Sequence, residues 1–337
     1  MISTLAALSS KMWRRSILRG ICSAGFASSV SPAGTSPRWL SSSTRRFAAL
    51  WGNGDYGRLG LGNLESRWKP TPCTFFDKDD PPIAISCGGA HTLFLTENGR
   101  VFATGLNNFG QLGTTSAKTH ILEPFQISGL PEKVVQISAG YHHSAVVTGA
   151  KSVVSTPTRV DSLDGIYIKM VSLGSEHSIA VTDEGNVLSW GSGGAGRLGH
   201  GHQSSILGFS FSSSEYMPRL IKNLEGRKIN KVSAGMLHSA CIDEQGSVFT
   251  FGEKAADVMG FSEGKKVFEP SAVEKLPRSV EVACGGYHTC VVTNFLNLNL
   301  GGFMRSMLWV VVPLSQFFFS YIFFSQASQR LMISQSQ

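Results

Sequence analysis

Acidic residues are missing from the start of the chain. None occurs before Asp55, while Lys11, Arg14, Arg15, Arg19, Arg38, Arg45 and Arg46 stand among Ser and Ala. A stretch that is Arg- and Ser-rich and poor in acid has the composition of an organelle transit peptide. The run Arg45-Arg46-Phe47 before Ala48 resembles a mitochondrial processing site. Residues 1–47 are therefore expected to be a leader cut between Phe47 and Ala48, which places the mature protein in the mitochondrial matrix. Those seven cations also account for the whole formal charge of +7, leaving 23 basic against 23 acidic residues in the remainder. The mature charge thus gives no support to direct nucleic-acid binding.

Paired cysteines are missing too. Cys22, Cys73, Cys87, Cys241, Cys284 and Cys290 form no Cys-x-x-Cys pair, so zinc and structural disulfides are not expected. There is no phosphate-cradling P-loop and no Gly-x-Ser-x-Gly elbow. No catalytic, cofactor or metal site is legible, and the chain is expected not to be an enzyme.

What the chain does have is one short sentence written five times: Ile85–Thr96, Ile137–Thr148, Val171–Thr182, Val232–Asp243 and Val282–Thr293. Each copy holds an alternating apolar lead-in, a Gly, two variable residues, a His, a Ser or Thr, and a second alternating run. The Gly and His positions are Gly88 and His91, Gly140 and His143, Gly174 and His177, Gly235 and His238, and Gly285 and His288. A period of two argues for strands half buried between layers. Glu97-Asn98-Gly99-Arg100, Asp183-Glu184-Gly185-Asn186 and Glu244-Gln245-Gly246-Ser247 read as hairpin turns in which Gly supplies a positive φ. A Gly-rich box follows in three copies: Trp51-Gly52…Gly57-Arg58-Leu59-Gly60, Thr104-Gly105…Gly110-Gln111-Leu112-Gly113 and Trp190-Gly191…Gly196-Arg197-Leu198-Gly199.

One His per repeat spreads the imidazoles over successive units, so four cannot meet at one metal. They read as turn-fixing residues that bond backbone groups, with the Gly positions serving backbone conformation. His120, His142, His200 and His202 fall outside the pattern.

This combination of motifs resembles the regulator of chromosome condensation repeat, over roughly Leu50 to Thr293. The resemblance implies an all-β fold, a β-propeller of four-stranded blades with seven in the family, and here an incomplete one of about five. The His spacings are 52, 34, 61 and 50 residues. Beyond Thr148 the expected hairpin, Trp-Gly and box are missing, which predicts a loss of about one and a half strands. After Thr293 the pattern does not return. The organisation expected is a leader 1–47, an incomplete propeller 48–293 and an apolar divergent tail 294–337, as in a plant-type mitochondrial member shortened or misspliced. The uncharged segment 306–329 reads either as translated non-coding sequence or as a membrane tail anchor.

For function, the resemblance implies a non-enzymatic interaction scaffold with a protein or ribonucleoprotein partner, in organelle RNA processing or ribosome assembly. The rival expectations are a guanine-nucleotide exchange factor for a small GTPase and a tail-anchored membrane protein. The family's ultraviolet-B receptors place Trp and Arg in the two variable turn slots. Here those slots hold Gly89-Ala90, Tyr141-His142, Ser175-Glu176, Met236-Leu237 and Gly286-Tyr287, which argues against photoreception.

Overall fold

A computed structural model of the chain describes residues 46–76, 79–114, 118–130, 133–149, 160–201, 214–253, 267–274 and 276–293. It adds the backbone of strands within 5–8, 204–206, 209–211, 294–296, 304–311, 320–323 and 332–335. The described chain is a succession of antiparallel sheets. The second is Pro82–Cys87, His91–Thr96, Val101–Leu106 and His120–Gln126. The fourth is Ile168–Leu173, His177–Thr182, Val187–Gly191 and Glu215–Leu220. The fifth is Ile229–Ala234, His238–Asp243, Val248–Gly252 and Val267–Ala272. In all three the strands pair in chain order.

The hairpin glycines Gly99, Gly185 and Gly246 have φ of 76°, 90° and 87°, the left-handed conformation expected of those turns. The third strand of each four-stranded sheet shifts register beside a glycine (Gly105, Gly191, Gly252). Such an irregularity bends the outer half of a sheet and increases its twist.

Three sheets depart from four strands. The first pairs Ala48–Gly52 with Arg67–Pro72, and Leu5–Leu8 lies on the other side of Ala48–Trp51. Among the described residues the third has Val134–Ala139 and Ser144–Thr148. The spacing of 34 predicts a loss of about one and a half strands here; residues 150–159, with Thr156-Pro157-Thr158, lie outside the described residues. The last sheet has Ser279–Cys284, Thr289–Leu296, Met304–Val311, Ser320–Phe323 and Met332–Gln335. A separate ribbon, Ser204–Ile206 with Phe209–Phe211, is inserted before the outer strand of the fourth sheet.

First strands of neighbouring sheets pack on one another from the second sheet to the sixth, so they line the inside of an arc. The core lies between the sheets, as expected of units that cannot bury an apolar face alone. Five clusters occupy five seams. Leu50, Leu59, Phe94 and Phe102 fill the first; Leu93, Leu95, Val134 and Ile137 the second. Val171, Leu173 and Ala180 fill the third. Ile179, Val181, Val232 and Phe251 stand in the fourth, and Ala240, Ile242, Val282 and Val291 in the fifth. The propeller is not closed.

Phe47 is exposed and Ala48 fully buried as the first residue of its strand; most of the expected leader lies outside the described residues. Within 306–329, residues 306–311 and 320–323 belong to strands. Among the described residues no helix is long and apolar enough to cross a membrane, which says nothing of strands.

Candidate functional site

The repeat residues converge on the seams. The turn closes on its own backbone through the amide of Gly88, which donates to the His91 carbonyl at 2.8 Å, with the same bond at Gly140, Gly174, Gly235 and Gly285. The imidazole does something else. Nε2 of His91 lies 2.9 Å from Ser144 Oγ of the next sheet. His177 reaches Ser239 and His238 reaches Thr289, each at 2.8 Å. The rings of His91, His177 and His238 thus bond side chains across a seam in place of the backbone groups that the sequence pointed to, while the His143 ring bonds the backbone of His177 in the next sheet.

Proton assignment follows from the hydroxyls. Ser144 Oγ donates to the Gln111 carbonyl at 2.7 Å and Ser239 Oγ to the Arg197 carbonyl at 2.9 Å. A carbonyl only accepts, so each hydroxyl has used its proton and must accept from Nε2–H. Nδ1 is then the deprotonated nitrogen, and in His91 and His177 it is buried without a partner. Burial pushes the pKa of His91 down to about 4, His177 to about 3 and His238 to about 4, and lowers those of His143 and His288. A neutral imidazole is the form this geometry requires.

The turn glycines are needed for space. Gly88, Gly140, Gly174, Gly235 and Gly285 are absent from the positive-φ residues, so the conformational role expected of them does not apply. A Cβ on Gly140 would stand 2.5 Å from His143 Cε1 and 2.7 Å from the Gly174 carbonyl oxygen. A Cβ on Gly88 would stand 2.5 Å from the Gly140 oxygen. At Gly88, Gly140, Gly174 and Gly235 the ring and the next sheet's carbonyl both crowd the place that a Cβ would take. That carbonyl accepts from the following amide: Gly89 N to Gly140 O at 3.2 Å, Tyr141 N to Gly174 O at 3.1 Å, Ser175 N to Gly235 O at 3.1 Å and Met236 N to Gly285 O at 3.2 Å.

Sequence reasoning passed over a third component. Ser86, Ser138, Ser172 and Ser233 each stand two residues before the turn glycine. Each accepts the amide of the next sheet: Ala139, Leu173, Ala234 and Cys284, at 2.8, 3.0, 3.0 and 2.8 Å. The signal was present, since four of the five copies read Ser there and only the last reads Ala283. Cys284 and Cys241 are buried, with free thiols whose pKa burial raises, as are those of Cys87 and Cys290. A protonated, buried thiol is a packing residue, not a nucleophile. Among the described residues no group of His, Cys, Asp or Glu could hold a metal ion.

Box residues meet the turns at the same end of the sheets. Arg58 Nη1 donates to the Gly89 carbonyl at 3.0 Å. Arg197 Nη1 donates to the Met236 carbonyl at 3.2 Å and lies 3.3 Å from Glu176 Oε2. Tyr56 and Ala195, at matching box positions, both hold φ in the left-handed region, 61° and 67°. Tyr56, Phe109, Tyr141, Met236 and Tyr287 are exposed at this end. The His142 ring lies tilted against Phe109 with ring centres 4.5 Å apart and meets Tyr141 edge-to-face at 4.4 Å. His200 is tied down by Ser189 at 3.0 Å, and His202 lies outside the described residues.

Comparison with known proteins agrees with this architecture. The regulator of chromosome condensation (RCC1) repeat matches residues 50–95, 98–147, 184–242 and 245–292. Similar proteins include the Homo sapiens E3 ubiquitin-protein ligase HERC2, 27% identical over 262 residues and 71% of this chain. The Arabidopsis thaliana ultraviolet-B receptor UVR8 is 27% identical over 246 residues and 72% of this chain. The chain spans only 5% of the first and 46% of the second. The crystal structure of human WBSCR16 is similar in fold, with a TM-score of 0.60 at 20% identity, covering 77% of this chain and 74% of that one. The five turns, their seam bonds and the matched repeats together make this chain a member of the regulator of chromosome condensation repeat family.

Proposed function

We propose that this protein is a non-enzymatic interaction scaffold of the mitochondrial matrix, serving a protein or ribonucleoprotein partner in organelle RNA processing or ribosome assembly. One observation carries the scaffold reading. The polar repeat residues are consumed in holding sheet to sheet, while the aromatic residues beside them face outward. The rings of His91, His177 and His238 are buried within the seams, which supports a structural role for them. The organelle assignment rests on the acid-poor segment before Asp55. Fractionation of cells carrying the C-terminally tagged protein tests it: recovery with the mitochondrial matrix is expected, and recovery in cytosol or nucleus alone removes the organelle. Crosslinking in the same cells should yield one defined set of partners, and a chain that crosslinks to none removes the scaffold.

A second reading, nucleotide exchange on a small GTPase, has one observation in its favour. The ribbon Ser204–Ile206/Phe209–Phe211 is a two-stranded insertion ahead of the outer strand of the fourth sheet. Its flank Glu215 is already paired with Arg219. Acceleration of labelled-GDP release from a panel of GTPases, abolished by deleting residues 204–211, would establish it; no acceleration removes it.

A further inference from the structure

The repeats serve as internal controls, because matching positions of the repeat carry different side chains. Where the fold accepts a small residue, a large exposed one needs another reason. Tyr56 and Ala195 hold nearly the same positive φ at the same box position, yet Tyr56 is 47% exposed. Phe109 stands at the same sequence position in the second sheet, without the positive φ, and is 67% exposed. In the turns, Tyr141 stands where the other copies have Gly89, Ser175, Met236 and Gly286. Folding thus needs none of these three rings.

The same comparison isolates Arg58. Its counterpart Arg197 donates from Nε to a carbonyl of its own box, Gly194, at 2.7 Å, as Arg58 does to Asp55 at 2.9 Å. Both donate from Nη1 to a turn carbonyl of the next sheet. Arg197 is also paired with Glu176, which comes from the turn of its own sheet. The first sheet contributes no such turn among its described residues, and no carboxylate there lies within ion-pair distance of Arg58. In the second sheet the pair is replaced as a whole, by Gln111 and Ala90. Arg58 is therefore a guanidinium fixed by two backbone bonds and, among the described residues, without a carboxylate at ion-pair distance, Asp55 acting on it only from further off. Tyr56 lies under it, with the ring centre 5.6 Å from the guanidinium carbon. The Tyr141 ring packs on Gly89, whose carbonyl Arg58 holds.

We propose that Tyr56, Arg58, Phe109 and Tyr141 form a docking site for an acidic segment of a partner protein, whose carboxylate takes at Arg58 the place that Glu176 takes at Arg197. Aromatic rings and an Arg are the side chains that most often dominate protein interfaces. The anion is a carboxylate in place of a nucleic-acid phosphate because the patch has a single fixed cation beside Asp55, and single-stranded nucleic acid needs a positive groove.

The inference rests on the scaffold reading and narrows it. Its test uses the purified full chain and a labelled peptide of about twelve alternating Glu and Leu residues, with the Gln-Leu peptide and an oligouridine of the same length as comparators. The Glu peptide should bind at least about tenfold tighter than the Gln peptide at low salt, with the difference shrinking as salt is added. Arg58→Gln should erase that preference, and Arg58→Glu should reverse it towards a Lys-Leu peptide. Tyr56→Ala should weaken binding about fivefold with an unchanged melting temperature, since Ala195 shows that the backbone accepts alanine. Equal binding of the Glu and Gln peptides overturns the proposal, as does tighter binding of oligouridine or a preference that survives Arg58→Glu. A natural partner held equally by the wild-type and Arg58→Glu chains would leave the scaffold standing and remove this site alone.

Discussion

The third and fourth sheets begin with the same sentence and end differently. His143–Thr148 and His177–Thr182 match residue for residue in role, yet every residue of the strand His177–Thr182 is buried and every residue of the strand Ser144–Thr148 is only half-buried. The fourth sheet continues through a hairpin, a third strand and an outer strand; the third has two strands among the described residues. The consequence shows in the cores. The seam between the fourth and fifth sheets buries eleven apolar residues, against three between the third and fourth. The hydrogen-bonded inner track is alike at both seams, with Ser138 to Leu173 and Ser172 to Ala234 at 3.0 Å each. Inner bonds set which sheets are neighbours, and the outer strands decide how much apolar surface that arrangement removes from water.

The strongest way to break the comparison is to attack the track that both seams share. A Cβ at Gly174 would meet both the His177 ring and the Gly235 carbonyl, a backbone group that cannot swing away. Gly174→Ala should cost several kcal/mol, about 3 or more, and abolish the cooperative melt. Gly286→Ala is the control, because nothing lies within 4 Å of its Cβ position. It should melt within about 1 °C of wild type. Equal melts for the two variants would show that the turn glycines are not packed as described.

Acid should come next. The buried histidines have folded pKa values lowered from 6.5 to about 4 for His91 and His238 and about 3 for His177. The unfolded chain therefore binds more protons than the folded one in that window. The stability is fully present above pH 6.5 and is lost as pH falls towards 4 and then 3. Protonation would also put a hydrogen on Nδ1, which has no acceptor in His91 or His177. Melting temperature should be flat above pH 7 and fall steeply below pH 6. His177→Gln should start lower but fall less steeply; an unchanged slope would mean that the ring is not a buried neutral imidazole.

Smaller effects separate the seams. Ser239 is fully buried between His177 and the Arg197 carbonyl, whereas Ser144 is half-buried between His91 and Gln111. Ser239→Ala orphans two buried polar groups and should cost about 3 kcal/mol, while water can replace the hydroxyl in Ser144→Ala, for about 1 kcal/mol. Urea melts of the two variants would measure the difference.

Much of this was legible in the residues and some was not, for physical reasons. Alternation around the five histidines gave the strands, the acidic-Gly turns gave the hairpins, and the 34-residue spacing located the short third sheet. Those are local signals, fixed by period and turn chemistry. The partner of each His was not legible, because Ser144, Ser239 and Thr289 lie 53, 62 and 51 residues away and meet it only after the sheets stack. The glycine role was misjudged for the same reason. Left-handed backbone and close approach both demand Gly, and only coordinates distinguish Gly88, pressed between a ring and a carbonyl, from Gly57, with φ of 75°. Ser86, Ser138, Ser172 and Ser233 were visible as a column in the repeat and look like ordinary polar residues until a neighbour's amide is found on them.

The last and smallest difference pits one methyl pair against its twin. Val147 and Val181 hold the same place in their copies. Val181 is fully buried in the larger cluster, and Val147 is half-buried at the edge of the smaller one. Truncation to Ala removes the same atoms from both. At Val181 it should leave a cavity and cost about 2 kcal/mol; at Val147 half of that surface was never withdrawn from water, so the cost should be about 1 kcal/mol or less. Restoring the missing outer strands should abolish this asymmetry. Inserting a copy of residues 97–126 after Thr148 gives the third sheet a hairpin, a third strand and an outer strand. In that background Val147→Ala should become as costly as Val181→Ala. If the two costs stay apart after the insertion, the thin third seam owes its weakness to something other than the strands it lacks.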